Sequence, residues 1–240
     1  MKLEHIYNIL NKISPFELQE KWDNSGLIVG DLNRTIEHIY ISLEITKDQL
    51  QTAKENSLFI VHHPLIFSPL KSLNLTKYPS NLLEIILQKR ISVIALHTNF
   101  DKTHLNKYVF EKILGFKIKK EKDFILESEV NISSNELFKL LKEKLNLKYL
   151  KVVNRKDNID SIAITTGSGA SLIDEVESCC FLTGDIKYHD AMKAKSQDLM
   201  LVDIGHFESE IFFSEILKEE LENLGIFSTI YNILNPFKYE

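Results

Sequence analysis

Short apolar runs rich in β-branched residues alternate along this chain with segments of helical periodicity. Polar turn residues bound each run, and each is far shorter than the roughly 20 residues that cross a bilayer. This alternation is typical of βα units and predicts a two-lobed α/β fold with mixed, largely parallel sheets flanked by helices. The predicted strands are 38–43, 58–61, 91–96, 149–153, 161–166, 179–182, 199–203 and 227–230. The predicted helices are 47–56, 81–90, 104–114, 133–145 and 207–224.

A charged, weakly periodic stretch at residues 117–131 separates two halves that each contain several of these units. It predicts a first α/β lobe over residues 1–120 and a second over 121–225. The segment 226–240 is able to rejoin the first lobe, since its predicted strand follows the last helix. We expect the two lobes to form a single compact unit.

The balance of charge and apolar residues limits the class of protein. Lys and Arg number 29 and Asp and Glu 34, so the net charge of −5 makes nucleic acid an improbable partner. A hydrophobic fraction of 44% is enough for a buried core and excludes a disordered chain. The adjacent Cys179 and Cys180 cannot supply a disulfide framework. With no apolar run long enough for a membrane, these features predict a cytoplasmic protein.

Four of the eight histidines lie just beyond the ends of predicted strands. His62 and His63 follow one strand, His97 follows the next, and His206 follows a third with Glu210 four residues on. The carboxyl ends of parallel strands share one edge of a sheet, where α/β folds place their ligands. We therefore expect a metal site at the strand ends, between the lobes.

Imidazole and carboxylate donors together favour zinc, iron, nickel or manganese over calcium or magnesium. His206 and Glu210 stack on one face of a helix and can reach one centre. Consecutive residues of an extended chain point in opposite directions, so His62 and His63 are expected to serve different ions. Two divalent ions bridged by a carboxylate would use His62, His63, Asp101, His206 and Glu210. Each motif alone is weak, because a single histidine at a strand end is usually structural.

Five segments carry a family resemblance: 22–27 (WDNSGL), 62–67 (HHPLIF), 97–101 (HTNFD), 183–189 (TGDIKYH) and 205–210 (GHFESE). In this order they resemble the signature segments of the NIF-three-like family, many of whose bacterial members are labelled GTP cyclohydrolase 1 type 2. The chain is similar to the compact form without an inserted domain. The resemblance implies a dinuclear metal site and a ring-shaped hexamer built as a trimer of dimers. It places the family's ligands on the five residues named above, with Glu210 as the bridge.

The reaction that the resemblance implies is hydrolytic opening of the guanine imidazole ring of GTP. The products are formate and dihydroneopterin triphosphate. His97 and His189 are the candidate proton-transfer residues, and Lys187 is the candidate phosphate contact. The alternatives are a hydrogen-bonded strand-end histidine for His97 and a solvated loop ahead of a helix for residues 185–189.

Other functions suit the same donors. Paired ions are equally suited to phosphoester hydrolysis. The chain could instead bind metal for delivery or regulation without catalysis, or use closed metal sites to stabilise an assembly. Two further features have structural interpretations: Gly167–Ala170 is expected to form a turn, and Trp22 is expected to pack, with Asp23, Asn24 and Ser25 supporting the metal edge.

Overall fold

The computed structural model describes residues 1–238 and contains the predicted mixture of strands and helices. Its strands are β1 (Gly26–Val29), β2 (His38–Ser42), β3 (Ser57–Val61), β4 (Ser92–Ala95), β5 (Lys120–Lys122), β6 (Ile125–Ser133), β7 (Lys151–Val153), β8 (Asn158–Ile164), β9 (Cys180–Thr183), β10 (Met200–Asp203) and β11 (Thr229–Ile230). Its α-helices are α1 (Leu3–Ile13), α2 (Lys47–Thr52), α3 (Ser80–Gln88), α4 (Thr98–Phe100), α5 (Ser134–Lys144), α6 (Tyr188–Ser196), α7 (His206–Glu210) and α8 (Phe213–Asn223). The segments Asp101–Leu105 and Tyr108–Ile113 are π-helical, and Phe16–Leu18 and Ala170–Glu175 form 3₁₀ turns.

The chain divides into two compact units. The first contains Met1–Phe100 and Phe213–Pro236, and the second contains Asp101–Phe212 with Phe237 and Lys238. These boundaries differ from the expected ones near residues 120 and 225, because the charged stretch at 117–131 is not a linker but the β5–β6 hairpin. The predicted helix 207–224 breaks after Glu210, and its second part, α8, packs on β2 and β11 of the first unit. Apolar periodicity reveals a helix but not the core that it joins.

The first unit is built on a five-stranded sheet in the order β1-β4-β3-β2-β11. Four of its strands are parallel, and β1 is antiparallel to β4. Every residue of β3 and β4 is buried, which is why both read as continuous apolar runs. Val61 pairs with Ala95 at the end of these strands, so the residues that follow them leave the sheet at one edge.

The second unit is built on a six-stranded sheet in the order β5-β6-β8-β9-β10-β7. The central β8, β9 and β10 are parallel, and the other pairings are antiparallel. The expectation of largely parallel sheets therefore holds for the first sheet, while the second has two parallel and three antiparallel pairings. Thr183 pairs with Asp203, so the segments after β9 and β10 also begin at a shared edge.

Six of these strands and α-helices lie outside the predicted ranges: α1, α4, α6, β1, β5 and β6. Helix α1 has a helical signal, since Leu3, Ile6 and Leu10 are fully buried at spacings of three and four. The exposed, charged β5 has no apolar alternation to mark it as a strand. The predicted helix 104–114 is largely π-helical, with a hydrogen bond from Leu114 N to Val109 O at 2.9 Å. The segment is too short for its apolar periodicity to distinguish a π-helix from an α-helix.

The residues at two helix ends suit a helix start and a helix stop. Ser133 and Glu136 form the capping box at the start of α5, where each side chain hydrogen-bonds the other residue's backbone amide. Gly225, which follows α8, has a φ of 75°, as suits the residue that ends a helix. Among residues 1–238, no helix has both the length and the apolar character needed to cross a membrane.

The burial of β3 predicts a clear difference between two phenylalanines of the first unit. Phe59 is fully buried in its core cluster, whereas Phe227 is 80% exposed. We expect Phe59→Ala to lower the free energy of unfolding by about 3–5 kcal/mol, and Phe227→Ala to change it by less than about 0.5 kcal/mol. Urea unfolding followed by circular dichroism measures both values. Equal losses would show that β3 does not lie in the core.

Candidate metal centre

Three histidines of the first unit lie together where β3 and β4 end. His62 and His63 directly follow Val61, and His97 lies two residues after Ala95. The imidazole centroids are 4.8 Å apart for His62 and His63, 5.2 Å for His62 and His97, and 5.4 Å for His63 and His97. Each ring offers a nitrogen within 4.8 Å of the others, so the three can hold a metal ion.

The expectation that His62 and His63 serve different ions stays a prediction, and their ring centroids lie only 4.8 Å apart. Side chains alternate only within a strand, and β3 ends at Val61. The two histidines occupy the bend that follows, where their rings remain close. Consecutive histidines can therefore contribute to a single ion as well as to two.

The orientation of each ring is fixed through Nδ1. His62 Nδ1 lies 2.8 Å from Leu96 O, His63 Nδ1 lies 2.8 Å from Glu44 Oε1, and His97 Nδ1 lies 2.7 Å from Asp23 Oδ1. A backbone carbonyl or a carboxylate can only accept, so each Nδ1 donates its proton. Each neutral ring is then held in the tautomer that offers the Nε2 lone pair to a metal ion.

Asp23, the acceptor for His97, has a fully buried side chain that serves several donors. It accepts hydrogen bonds from Asn24 N at 2.7 Å, Thr98 N at 3.1 Å and Thr98 Oγ1 at 2.5 Å. Burial by itself raises the pKa of Asp23, but the hydrogen bonds and charge of His97 and the bonds from Thr98 and Asn24 outweigh it. The pKa of Asp23 therefore lies well below its usual range, and the group is a carboxylate at neutral pH.

In the second unit, Glu210 and His206 form a cluster on α7. Glu210 is 3% exposed, and its Oε2 lies 2.9 Å from His206 Nε2 one helical turn away. His206 Nδ1 lies 2.6 Å from Asp185 Oδ2, so both ring nitrogens face a carboxylate. A carboxylate oxygen of Asp101 lies within 4.8 Å of one from Glu210. Asp101, His206 and Glu210 thus supply a second group of donors.

Glycine allows the backbone to approach this cluster closely. Gly167 has a φ of 65°, and a Cβ added there would lie 2.0 Å from Glu210 Oε1. A Cβ on Gly184 would lie 2.6 Å from Gly167 O and 2.7 Å from His206 N. Gly167 N also donates to Ser209 Oγ at 3.0 Å, beside Glu210 in the sequence. The turn that was expected here therefore forms part of the wall around the Glu210 carboxylate.

The comparison with protein families gives a match across most of the chain. The model of Duf34/NIF3 (NGG1p interacting factor 3) matches residues 1–232. The chain belongs to the Duf34/NIF3 family. The resemblance read from the five sequence segments is thereby confirmed.

Curated relatives of this Duf34/NIF3 chain match it from end to end. A Campylobacter jejuni protein named "GTP cyclohydrolase 1 type 2 homolog" is 47% identical, with 100% of each chain covered. A Helicobacter pylori protein from strain J99 named "GTP cyclohydrolase 1 type 2" is 45% identical, with 98% of each chain covered. Both relatives have about the length of this chain, as expected for the compact form.

Solved structures share the fold. A Staphylococcus aureus hypothetical protein superposes with a TM-score of 0.88 at 25% identity, covering 100% of this chain and 99% of that one. Reduced HcgD from Methanocaldococcus jannaschii gives a TM-score of 0.83 at 24% identity, covering 97% and 98%. The α/β fold with two mixed sheets is therefore that of other Duf34/NIF3 structures.

The remaining sequence-predicted residues of this Duf34/NIF3 chain lie on and beside α6. Lys187 directly precedes the helix, and its backbone N donates to Asp190 Oδ2 at 3.0 Å. His189 is exposed in the first turn, with its ring 5.4 Å from that of Tyr188. The catalytic and phosphate-binding roles of His189 and Lys187 stay predictions.

Sequence reasoning missed the roles of Glu44 and Asp185. Each follows the end of a strand that is parallel to the strand carrying its histidine: β2 beside β3, and β9 beside β10. A carboxylate two residues after one parallel strand, next to a histidine after its neighbour, is the signal that could have revealed both. This signal can be used only when the strand order is known, and the strand order is not apparent from the sequence.

The buried Asp23 carboxylate predicts a pH-dependent loss on substitution. Asp23→Asn removes the charge that faces His97. We expect the free energy of unfolding of the metal-free protein to fall by about 3 kcal/mol at neutral pH. Because the pKa of Asp23 is lowered in the folded state, the variant shows its full loss of stability at pH values above the unfolded-state pKa, which is near 3.9. It shrinks as the pH falls through the folded value.

Urea unfolding at several pH values measures this difference. The exposed Asp48→Asn variant of α2 is the control, with an expected change within about 1 kcal/mol at every pH. A deficit for Asp23→Asn that stays constant down to strongly acid pH would contradict the lowered pKa.

Two glycines with similar backbone angles test the wall around Glu210. Gly167 and Gly115 have φ values of 65° and 78°, but a Cβ on Gly115 meets no atom within 4 Å. Either alanine substitution costs about 1–2 kcal/mol of stability through backbone strain. Only Gly167→Ala should displace the Glu210 carboxylate, and we expect it to weaken zinc binding about 10- to 100-fold by calorimetry. Equal zinc affinities in the two variants would mean that the close approach does not position Glu210.

Proposed function

We propose that this chain is a metal-dependent hydrolase that opens the imidazole ring of GTP. The reaction consumes water and releases formate and dihydroneopterin triphosphate. The names of the Campylobacter and Helicobacter relatives support the substrate, since both denote GTP cyclohydrolase 1 type 2 or its homologue. The observation that carries the metal dependence is the convergence of His62, His63 and His97, each of which offers a ring nitrogen within 4.8 Å of the others.

In this proposal His62, His63, Asp101, His206 and Glu210 hold two divalent ions, with Glu210 as the bridging ligand. The donors suit zinc, iron, nickel or manganese, because three are imidazoles and two are carboxylates. When bound, such ions act as Lewis acids and lower the pKa of water. Glu44 and Asp185 fix the rings of His63 and His206 in the ligand tautomer.

His97 is the proposed proton-transfer residue. Its Nδ1 donates to Asp23, and its backbone N donates to Ser25 Oγ at 3.1 Å, so the ring and its strand end are both held. The Nε2 lone pair can then accept a proton and return it to a leaving ring nitrogen. The Asp23 carboxylate stabilises the cationic ring that exists in between, as an orienting carboxylate does in a catalytic triad.

The exposed His189 and Lys187 complete the proposed set of residues. Lys187 offers an ammonium group to the triphosphate, and His189 is a second candidate for proton transfer. Local positive charge is needed because the chain carries a net charge of −5 and GTP is a polyanion. Two divalent ions and Lys187 would supply it.

The quaternary structure and location follow from the family resemblance. We propose a ring-shaped hexamer built as a trimer of dimers, which light scattering can test directly. A cytoplasmic location is supported by the free Cys179 and Cys180, since a reducing compartment keeps such thiols unpaired.

The proposed bridge predicts the effect of one substitution. Glu210→Gln keeps the shape of the side chain but removes its charge, so both ions should weaken and the rate of formate release should fall at least about 100-fold. Glu215→Gln, on the exposed face of α8, is the matched control and should behave as the wild type. Elemental analysis gives the metal content, and formate and pterin fluorescence give the rate with GTP.

The outcomes separate the candidate functions. Full metal occupancy with neither formate nor pterin would exclude the cyclohydrolase reaction. Release of phosphate from generic esters by the same preparation would replace it with a dinuclear phosphoesterase. Loss of only one ion in Glu210→Gln would refute the bridging role. Metal transfer to an apo acceptor protein, without turnover of any substrate, would favour delivery.

A further inference from the structure

Two large aromatic side chains beside His97 are exposed. Trp22 is 59% exposed and Phe67 is 48% exposed, and their ring centroids lie 5.9 Å apart at an interplanar angle of 54°. The His97 ring lies edge-on to both, 6.4 Å from Trp22 and 6.1 Å from Phe67. Trp22 was expected to pack, but more than half of its surface is open to solvent.

The backbone on both sides of this pair is fixed by hydrogen bonds. Asn24 Nδ2 donates to Ile66 O at 2.5 Å and so ties the segment of Trp22 to that of Phe67. Asp23, next to Trp22, binds the imidazole of His97. The two rings are therefore attached to segments that hydrogen bonds hold in place. Exposure here is not the result of an unanchored chain end.

An anchored pair of exposed aromatic rings suits a planar ligand. Scattered apolar residues are normal on a protein surface, but adjacent ones point to a binding site. The π face of an indole stacks on any aromatic heterocycle, and a second ring at an angle adds an edge-to-face contact. Such contacts recognise a flat ring and carry no preference for a phosphate group.

We propose that Trp22 and Phe67 form a stacking subsite for a planar nitrogen heterocycle, which places that ring beside His97. The inference rests on the proposed function in one respect: the heterocycle is taken to be the purine base of the nucleotide. Stacking then recognises the base, whereas charge contacts such as that proposed for Lys187 recognise the triphosphate. The subsite gives the reacting part of the nucleotide its position next to the proton-transfer residue.

Trp22 is the only tryptophan in the sequence, so its fluorescence reports this subsite alone. The metal-free full-length protein is titrated with guanosine, GTP and inorganic triphosphate, and is excited where the purine does not absorb. We expect guanosine and GTP to quench the emission with saturation, and triphosphate to leave it unchanged. Phe67→Leu, which keeps the apolar surface and loses the ring, should weaken guanosine binding about threefold to tenfold. Phe227→Leu is the matched control at an exposed site and should bind as the wild type.

Three results would overturn the subsite. These are an absence of quenching by guanosine up to its solubility, quenching by triphosphate equal to that by GTP, and unchanged guanosine binding in Phe67→Leu. A blue-shifted emission that turns red on dilution, together with loss of mass in light scattering, would also overturn it. In that case a second copy of the chain covers the two rings.

Steady-state kinetics distinguish failure of the subsite from failure of the proposed reaction. If both hold, Trp22→Leu should raise the KM for GTP about 5- to 100-fold with kcat within about twofold, since stacking binds the base before and during the reaction. Quenching by guanosine without formate release would leave the subsite standing and exclude the reaction. Formate release with an unchanged KM in Trp22→Leu and no quenching in the wild type would exclude the subsite and leave the reaction standing.

Discussion

The hydrogen bond from Nδ1 of each of the four strand-end histidines to an oxygen acceptor is the interaction on which the proposed chemistry depends. It fixes the tautomer and the angle of the ring. The four acceptors differ in origin: Leu96 supplies a backbone carbonyl, and Glu44, Asp23 and Asp185 supply carboxylates. Because a carboxylate also stabilises positive charge on the ring, His63, His97 and His206 are the better placed to face a cation or carry a proton.

Three of these hydrogen bonds exist because parallel strands end together, and the fourth, from His97 to Asp23, joins the end of β4 to the segment just before the antiparallel β1. In the first sheet, β2, β3 and β4 bring Glu44, the His62–His63 pair and His97 to one edge. In the second sheet, β9 and β10 do the same for Asp185 and His206. An antiparallel arrangement of these strands would send their ends to opposite edges and separate His62, His63 and His206 from their acceptors. The sheet topology thus produces two clusters from residues far apart in the sequence.

Much of this could be predicted from the sequence. The buried strands β3, β4 and β10 are continuous apolar runs, and histidines after their ends marked the candidate ligands before any strand order was known. The acceptors could not be found in this way, since Glu44 and Asp185 become partners only through the strand order. The exposure of Trp22 was equally hidden, because an indole has the same hydropathy whether it packs or faces a ligand. The unit to which α8 belongs depends on tertiary packing that a helical period does not encode.

Asp23 and Glu210 are both buried carboxylates, yet their surroundings suit different tasks. Asp23 accepts from amides, a hydroxyl and one imidazole, so protein donors already serve both of its oxygens. Glu210 Oε2 instead faces His206 Nε2 at 2.9 Å, and His206 Nδ1 is already bound to Asp185. A ring in this position either is doubly protonated or gives its Nε2 lone pair to a cation that Glu210 also binds. The 2.9 Å distance therefore suits a shared proton or a shared metal ion. A bound metal ion would compete with that proton, so the proposed metal binding would weaken as the pH falls.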